Sequence, residues 1–121
     1  MPVRSSSSSV LVWPTRATVD RALQGWANEN KARHPDVVRL GYFGSYARGQ
    51  WGVGSDLDLV AVVRDSELPF ERRAIEWDLT PLPVAADLLV YTRAEWDSLM
   101  TSGTRLARVL ATDVRWLTDC V

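Results

Sequence analysis

Two aspartates separated by a leucine, Asp56 and Asp58, are the residues of this sequence best suited to chemistry. Positions i and i+2 of a β-strand point to the same side, so a strand here directs both carboxylates one way. Two like charges this close repel, and a divalent cation removes the conflict. Hard oxygen ligands favour Mg²⁺ or Mn²⁺. The alternative is a pair of exposed carboxylates. The spacing alone leaves the two interpretations even, although aspartate is depleted in strands.

A third aspartate, Asp87, lies within the apolar run Ala-Ala-Asp-Leu-Leu-Val-Tyr. An unpaired charge in a buried strand is costly, so this residue needs a partner. One candidate partner is an arginine. If the strand of Asp87 lies beside that of Asp56 and Asp58, Asp87 instead completes a cluster of three carboxylates. Two metal ions about 3.5–4 Å apart can then clamp the attacking and leaving oxygens of an in-line displacement.

The dipeptide Gly44-Ser45 follows a predicted strand and precedes a predicted short helix. A glycine there lets the backbone approach a ligand, and a helix that begins there presents unpaired amides. This arrangement binds phosphate, with the serine hydroxyl as a further donor. Arg48 either contacts phosphate, caps the loop, pairs with one of the aspartates or lies on the surface. Ser55 either orients a carboxylate or begins the next strand.

The elements that must position these residues can be predicted from periodicity and from the proline and glycine positions. They are helix 15–33, strand 37–43, a short helix 45–48, a glycine-rich loop 49–55, strand 56–63, helix 70–79, strand 84–91, a long helix that a capping box at Thr92 opens and that Ser102-Gly103 interrupts, and an edge strand 114–117. In strand 56–63, Leu57, Leu59, Ala61 and Val63 share one face, whereas Asp56, Asp58, Val60 and Val62 share the other. The order predicts an α/β (α+β) domain with helices packed on a single small mixed β-sheet.

The composition is that of one small globular domain, with 121 residues, 46% of them hydrophobic and 24% charged. We expect residues 1–10, which contain five consecutive serines, to be disordered and residues 11–121 to form the domain. A net charge of −1 argues against general nucleic-acid binding. Most of the six tryptophans are expected in packing, with Trp51, Trp96 and Trp116 as candidates for a partner surface.

The sequence predicts a cytoplasmic location. The one cysteine, Cys120, cannot form an internal disulfide, which suits a reducing compartment. No segment approaches the roughly 20 apolar residues of a membrane-spanning helix, and the first residues lack the apolar core of a secretory signal. Zinc and triad chemistry are poorly supplied, because His34 is the only histidine. Neither a Walker A lysine motif nor a dinucleotide glycine fingerprint is present.

Gly44-Ser45, ten residues, then Asp56-Leu57-Asp58 resembles the motif of nucleotidyltransferases of the DNA polymerase beta superfamily. The run GYFGSYARGQWGVGSDLDLVAVV resembles the minimal nucleotidyltransferases of prokaryotes in particular, and the resemblance covers roughly residues 15–118. It implies the polymerase beta-like fold, with Asp56 and Asp58 as ligands of Mg²⁺ and Gly44 and Ser45 holding the triphosphate. Asp87 would be the third carboxylate, placed to activate the acceptor hydroxyl. The implied reaction moves a nucleoside monophosphate from a triphosphate to a hydroxyl and releases pyrophosphate.

The resemblance also implies a biological role. Minimal nucleotidyltransferases commonly act beside a helical HEPN partner as the antitoxin of a toxin–antitoxin pair, and some add AMP from ATP to that partner. We therefore expect a HEPN-type partner protein that is itself the substrate. Two alternatives stay open. One is a non-catalytic module that neutralises its partner by contact alone, and the other is a transferase acting on a small alcohol in a pocket completed by a homodimer.

Overall fold

The computed structural model describes residues 14–50, 52 and 56–119. The serine-rich N-terminus, Trp51, Ser55 and Cys120 lie outside the described residues, and so does most of the predicted loop 49–55. The helices are α1 (Arg16–Arg33), α2 (Gly44–Ala47), α3 (Phe70–Arg73), which a 3₁₀ turn at Ala74–Glu76 follows, α4 (Arg93–Met100) and α5 (Arg105–Asp113). The strands are β1 (Val37–Phe43), β2 (Leu57–Val63), β3 (Ala86–Thr92) and β4 (Arg115–Asp119).

The strands of the described residues form one mixed four-stranded sheet in the order β3-β2-β1-β4. β1 is antiparallel to both β2 and β4, whereas β2 and β3 are parallel. The end of β1 therefore meets the beginnings of β2 and β3 at one end of the sheet. The predicted α/β class with a single small mixed sheet is confirmed, and β1 has the predicted bounds.

Helix α1 covers one face of the sheet. Thr15 caps its N-terminus by accepting a hydrogen bond from the Thr18 amide, and the helix ends at His34, where Pro35 follows. The side chains that it buries against the sheet recur at helical spacing: Val19, Leu23, Trp26 and Ala27. The helix thereby covers the larger of two hydrophobic clusters, to which Tyr46, Trp77, Leu82 and Val84 also contribute from outside the sheet.

The alternation predicted for β2 divides the core in two. The odd-numbered residues Leu57, Leu59, Ala61 and Val63 belong to the cluster beneath α1. Val60 and Val62, on the other face, pack with Trp96 of α4 and Leu110 of α5. Both faces of β2 are thus covered along most of its length, and the one polar residue of the strand, Asp58, lies near its beginning.

The predicted helix 70–79 is wrong in length, because α3 ends at Arg73 and the 3₁₀ turn ends at Glu76. Arg73 is buried and donates hydrogen bonds to the carbonyl groups of Leu68 and Val90. Trp77 is extended and buried, and its ring stacks on His34 with centroids 4.2 Å apart. The chain leaves the helical path at Trp77, and this places the Trp77 ring on His34.

The predicted long final helix is two helices. Gly103 has a left-handed backbone with φ of +70°, and Thr104 opens α5 by accepting a hydrogen bond from the Ala107 amide. The capping box at Thr92 and Glu95 is confirmed. Trp116 lies on β4, where the edge strand 114–117 was predicted, and its ring contacts that of the buried Trp96. Among the described residues, no helix has the length and apolar character needed to cross a membrane.

Candidate active site

The three predicted site aspartates lie at one end of the sheet. Asp58 and Asp87 occupy paired positions on the parallel strands β2 and β3, and Asp58 is also paired with Phe43 at the end of β1. Side chains at paired positions of neighbouring strands share one face, so the two carboxylates lie side by side. Asp56 immediately precedes β2 and is exposed, as is Asp87, whereas Asp58 is half-buried. The strand of Asp87 thus neighbours that of Asp58, as a carboxylate cluster requires.

Asp58 is the electrostatic centre of the three. Its pKa lies above the ordinary value, because burial disfavours the charged form and because the negative charges of Asp87 and then Asp56 add to that effect. The positive charge of Arg48 acts in the opposite direction. The fold therefore holds a half-buried carboxylate within the field of two others. A bound cation would relieve the repulsion between these carboxylates, so the arrangement favours cation binding.

Gly44 determines how closely the turn approaches Asp58. Its backbone is left-handed, with φ of +76°, and a Cβ at this position would collide with Oδ2 of Asp58. The backbone of the turn between β1 and α2 thus lies directly against the carboxylate. A ligand that contacts Asp58 is consequently within reach of the Gly44-Ser45 backbone as well.

The remaining predicted site residues are placed less closely together. Ser45 is half-buried on α2. Arg48 forms an ion pair with Asp113 at the end of α5, with 2.8 Å between Nη1 and Oδ2, and its Nε donates to Gln50. The alternative of an ion pair is therefore what the structure shows for Arg48, although the partner is neither Asp56 nor Asp58. Ser55 lies outside the described residues.

An open cavity of about 510 Å³ borders the carboxylates. Asp58 and Asp87 supply its polar side chains, and Phe43, the last residue of β1, lines it beside Asp58. Its other lining residues are apolar: Ala74, Leu79, Ala86, Leu88 and Leu89. Ala86, Leu88 and Leu89 are the neighbours of Asp87 on β3 and line the cavity, whereas Asp87 itself is exposed. The predicted cost of an unpaired buried charge at Asp87 is thus avoided by exposure.

The donor set of this site has the chemistry of a divalent-cation site. Asp56, Asp58 and Asp87 offer hard carboxylate oxygens, and their mutual repulsion is what a cation relieves. Across residues 14–50, 52 and 56–119, no three Asp, Glu, His or Cys side chains are already drawn together as a ready metal cluster. A cation here would therefore have to draw in Asp56 and Asp87, both of which are exposed and unobstructed by packing.

Sequence reasoning missed Asp113 and Phe43. Asp113 is 65 residues from Arg48 and closes an α5 helix of otherwise ordinary pattern, so no local signal connects the two. Phe43 was assigned to β1 correctly, but its pairing with Asp58 follows from the strand register. Register depends on tertiary packing, which spacing along the chain does not reveal.

Fold and site together define a class: small α/β domains that present carboxylates from neighbouring strands beside a Gly-Ser turn. Comparison with known families identifies the class specifically. The model of the family described as nucleotidyltransferase domain matches residues 23–110, which is well over half of the chain. This chain belongs to the nucleotidyltransferase domain family, and the class of activity that the family represents is nucleotidyl transfer.

Solved structures share the fold. A candidate nucleotidyltransferase from Sulfolobus solfataricus is 20% identical, with a TM-score of 0.61 over 84% of this chain and 80% of that one. A toxin–antitoxin structure with AMP-PNP contains a chain that is 18% identical, with a TM-score of 0.51 over 79% of this chain and 73% of that one. No curated protein matches this chain. At these identities the likeness establishes the fold alone.

Proposed function

We propose that this chain is a metal-dependent nucleotidyltransferase that transfers AMP from ATP to a hydroxyl of a helical, HEPN-type partner protein and thereby acts as an antitoxin. The observation that carries the proposal is the pairing of Asp58 with Asp87 on adjacent strands, directly against the backbone of Gly44. The nucleotidyltransferase family model over residues 23–110 supports the reaction class. The toxin–antitoxin structure with AMP-PNP supports an adenine nucleotide and a toxin as the partner, whereas the HEPN type rests on the sequence resemblance.

In this proposal the turn between β1 and α2 binds the triphosphate. The Gly44 backbone approaches closely because it has no side chain, and the Ser45 hydroxyl adds a donor. Arg48 exchanges its ion pair with Asp113 for a phosphate oxygen, since both partners offer oxygen acceptors to the same guanidinium. Ser55 is proposed to orient a neighbouring carboxylate or phosphate.

Asp56, Asp58 and Asp87 would hold two Mg²⁺ ions, with Mn²⁺ as the alternative. These ions would supply charge neutralisation on the phosphates when bound. Asp58 suits this role because its pKa is raised by burial and by two neighbouring carboxylates. Asp56 and Asp87, which are exposed, can adjust to the ligand geometry.

The reaction forms one P–O bond and breaks another. The acceptor oxygen attacks the α-phosphorus, and the bond between that phosphorus and the α,β-bridging oxygen breaks with its electron pair leaving on pyrophosphate. The carboxylate of Asp87 takes the proton of the acceptor hydroxyl. The residues of the chain contribute position and charge rather than a covalent intermediate. The cavity beside Asp87 is open, so an acceptor on the surface of another protein can reach it.

The proposed acceptor is a protein, and the proposed location is the cytoplasm, where ATP and the partner would be available. A small alcohol bound in a pocket completed by a second copy of this chain is the main alternative for the acceptor. Measurement of the molecular mass by light scattering tests this alternative. If the chain is a monomer and is active as a transferase, the alternative is excluded, because it needs a second copy of the chain.

Transfer of label from α-phosphate-labelled ATP, with Mg²⁺ or Mn²⁺, tests the proposal. We expect label on a co-purified helical partner with the wild-type chain and none with the Asp56→Ala, Asp58→Ala variant. A matched control is Asp97→Asn, which removes an exposed aspartate on α4 that lies near Val62, at the end of β2 opposite to Asp58. Absence of label with both metals, while the partner is still bound and silenced, would overturn the proposal.

A second candidate function is neutralisation by contact alone. It is favoured by an open apolar groove of about 670 Å³ between α3, α4 and the beginning of α5. Phe70 and Leu106 line this groove and are unusually exposed for their type. If the Asp56→Ala, Asp58→Ala variant binds and silences the partner as well as the wild-type chain does, contact is sufficient. If the variant binds but no longer silences, contact is insufficient and the chemistry is required.

A further inference from the structure

The turn that approaches Asp58 is too short to hold its own position. Helix α2 has four residues, and Phe43 at its N-terminal boundary makes no side-chain capping hydrogen bond. A single helical turn fixes several dihedral angles for about one hydrogen bond and is unstable by itself. Tertiary contacts must therefore hold Gly44 and Ser45 where they lie.

The side chain of Tyr46 provides such a contact. Tyr46 follows Ser45 directly and is fully buried, and its Oη donates a hydrogen bond of 2.6 Å to Oδ1 of Asp20 on α1. A second, longer contact of 3.3 Å joins the same Oη to the carbonyl oxygen of Arg16. The hydrogen bond between Tyr46 and Asp20 spans 26 residues of sequence and joins the beginning of α1 to α2.

Arg16 contacts both members of this hydrogen bond, Tyr46 and Asp20. Its guanidinium lies 4.3 Å from the centroid of the Tyr46 ring, and its Nε is 4.0 Å from Oδ2 of Asp20. Burial and the Asp20 carboxylate raise the pKa of Tyr46 far above its ordinary value, so the hydroxyl keeps its proton and remains a donor. Asp20 and Arg16 are about half exposed, but the phenol that they hold is not.

We infer that Asp20 and Tyr46 are positioning residues for the triphosphate-binding turn, an inference that rests on the proposed function. Neither residue touches the reacting atoms. Their hydrogen bond holds α2 against α1, and this sets the place of the Gly44-Ser45 backbone relative to Asp58. Loss of the bond lets the turn move, so the triphosphate binds less tightly and the α-phosphorus is less well aligned.

Binding of a non-hydrolysable ATP analogue in the presence of Mg²⁺, measured by calorimetry, tests this inference. We expect Tyr46→Phe to weaken binding about fivefold to tenfold, the scale of one ordinary intramolecular hydrogen bond. Asp20→Ala should match it. Asp20→Asn, which keeps an acceptor oxygen for the phenol, should recover part of the loss. In label transfer, the KM for ATP should rise more than kcat falls.

The matched control is Tyr42→Phe. Tyr42 lies on β1 with its ring 5.4 Å from that of Tyr46, and among the described residues no hydrogen bond of its hydroxyl is recorded. We expect this control to bind the analogue like the wild-type chain. Thermal unfolding of all variants separates a moved turn from an unfolded one, because Asp20→Ala alters a half-exposed residue and should leave the protein folded.

The outcomes distinguish this inference from the function on which it rests. Unchanged analogue binding by Tyr46→Phe and Asp20→Ala, with the wild-type chain binding, overturns the positioning role and leaves the proposed function intact. Equal weakening by Tyr42→Phe and Tyr46→Phe also overturns it, since general packing would then be the cause. If the wild-type chain fails to bind the analogue when Mg²⁺ is added and also when Mn²⁺ is added, the proposed function itself is overturned.

Discussion

The α-carbon of Gly44 faces Oδ2 of Asp58 so closely that even a methyl group at position 44 would overlap the carboxylate. The contact joins the turn after β1 to the first residues of β2, the two segments that carry the predicted phosphate and metal ligands. Position 44 thus requires glycine for two separate reasons. The backbone is left-handed, with φ of +76°, and there is no space for a Cβ beside Asp58.

Gly44→Ala should separate these two reasons when it is compared with Gly49→Ala. Gly49 has the same φ of +76° but nothing within 4 Å of an added Cβ. Gly49→Ala should cost about 1–2 kcal/mol of unfolding free energy, the strain of a left-handed alanine. Gly44→Ala should cost more than this and abolish transfer activity, because Asp58 must move. Equal losses of stability and activity in the two variants would show that the contact with Asp58 is unimportant.

Repulsion between paired carboxylates leads to a second prediction. Asp87 and Asp56 both raise the pKa of Asp58, and Asp87 has the larger effect. Asp87→Asn removes that charge. Without metal, in EDTA, the variant should melt a few degrees higher than the wild-type chain, about the shift expected for less than 1 kcal/mol in a domain of this size. Added Mg²⁺ should raise the Tm of the wild-type chain and not that of the variant.

Asp97→Asn is the control for this prediction, because Asp97 is an exposed aspartate on α4 outside the carboxylate group. It should show the wild-type response to Mg²⁺. If Asp87→Asn responds to Mg²⁺ as fully as the control does, Asp87 is not a metal ligand.

Much of this fold follows from local sequence. Thr15 and Thr92 cap helices where hydroxyl side chains are expected to, and the alternation of β2 predicted which of its residues share a face. What spacing predicted at the site was that Asp56 and Asp58 share a strand end. The adjacency of Asp87 to Asp58 depended on an assumption about strand order, which the parallel pairing of β2 and β3 now provides.

Other features could not be predicted because they depend on contacts distant in sequence. The chain leaves the helical path at Trp77, whose ring stacks on His34, and nothing local in residues 70–79 indicates this. Likewise, the Arg48–Asp113 ion pair joins the turn to α5. Asp20 and Tyr46 have ordinary local environments in the sequence, and their bond becomes evident only when α1 and α2 are placed together.

The buried Arg73 predicts an acid sensitivity through Glu95. The guanidinium of Arg73 donates through Nη1 and Nη2 to the two carboxylate oxygens of Glu95, with 3.1 Å between Nη2 and Oε2. This bond, with that from the Thr92 amide, lowers the pKa of Glu95 from an ordinary 4.5 to about 2. The folded-state pKa is depressed, so the stabilisation is complete above pH 4.5 and is lost as the pH falls towards 2.

Glu95→Gln is the informative variant, because glutamine keeps the capping box at α4 while removing the charge. It should be less stable than the wild-type chain at neutral pH and lose less stability between neutral pH and pH 3, about the middle of the window that the two pKa values define. Denaturant unfolding at a series of pH values measures this. Parallel wild-type and variant curves would mean that the ion pair does not contribute.

His34 gives a prediction nearer neutral pH. Its ring stacks on Trp77, and its Nε2 is buried without a hydrogen-bond partner among the described residues. Burial lowers the pKa of His34 from its ordinary 6.5, and Arg33 acts in the same direction, whereas Glu76 and Asp36 oppose them. The unfolded chain therefore takes up a proton more readily than the folded protein. Stability should be complete above about pH 7.5 and decline as the pH falls towards 5. His34→Phe keeps an aromatic ring on Trp77 but cannot be protonated, so its Tm should stay constant over this range. An equal decline in the variant would assign the pH dependence to a group other than His34.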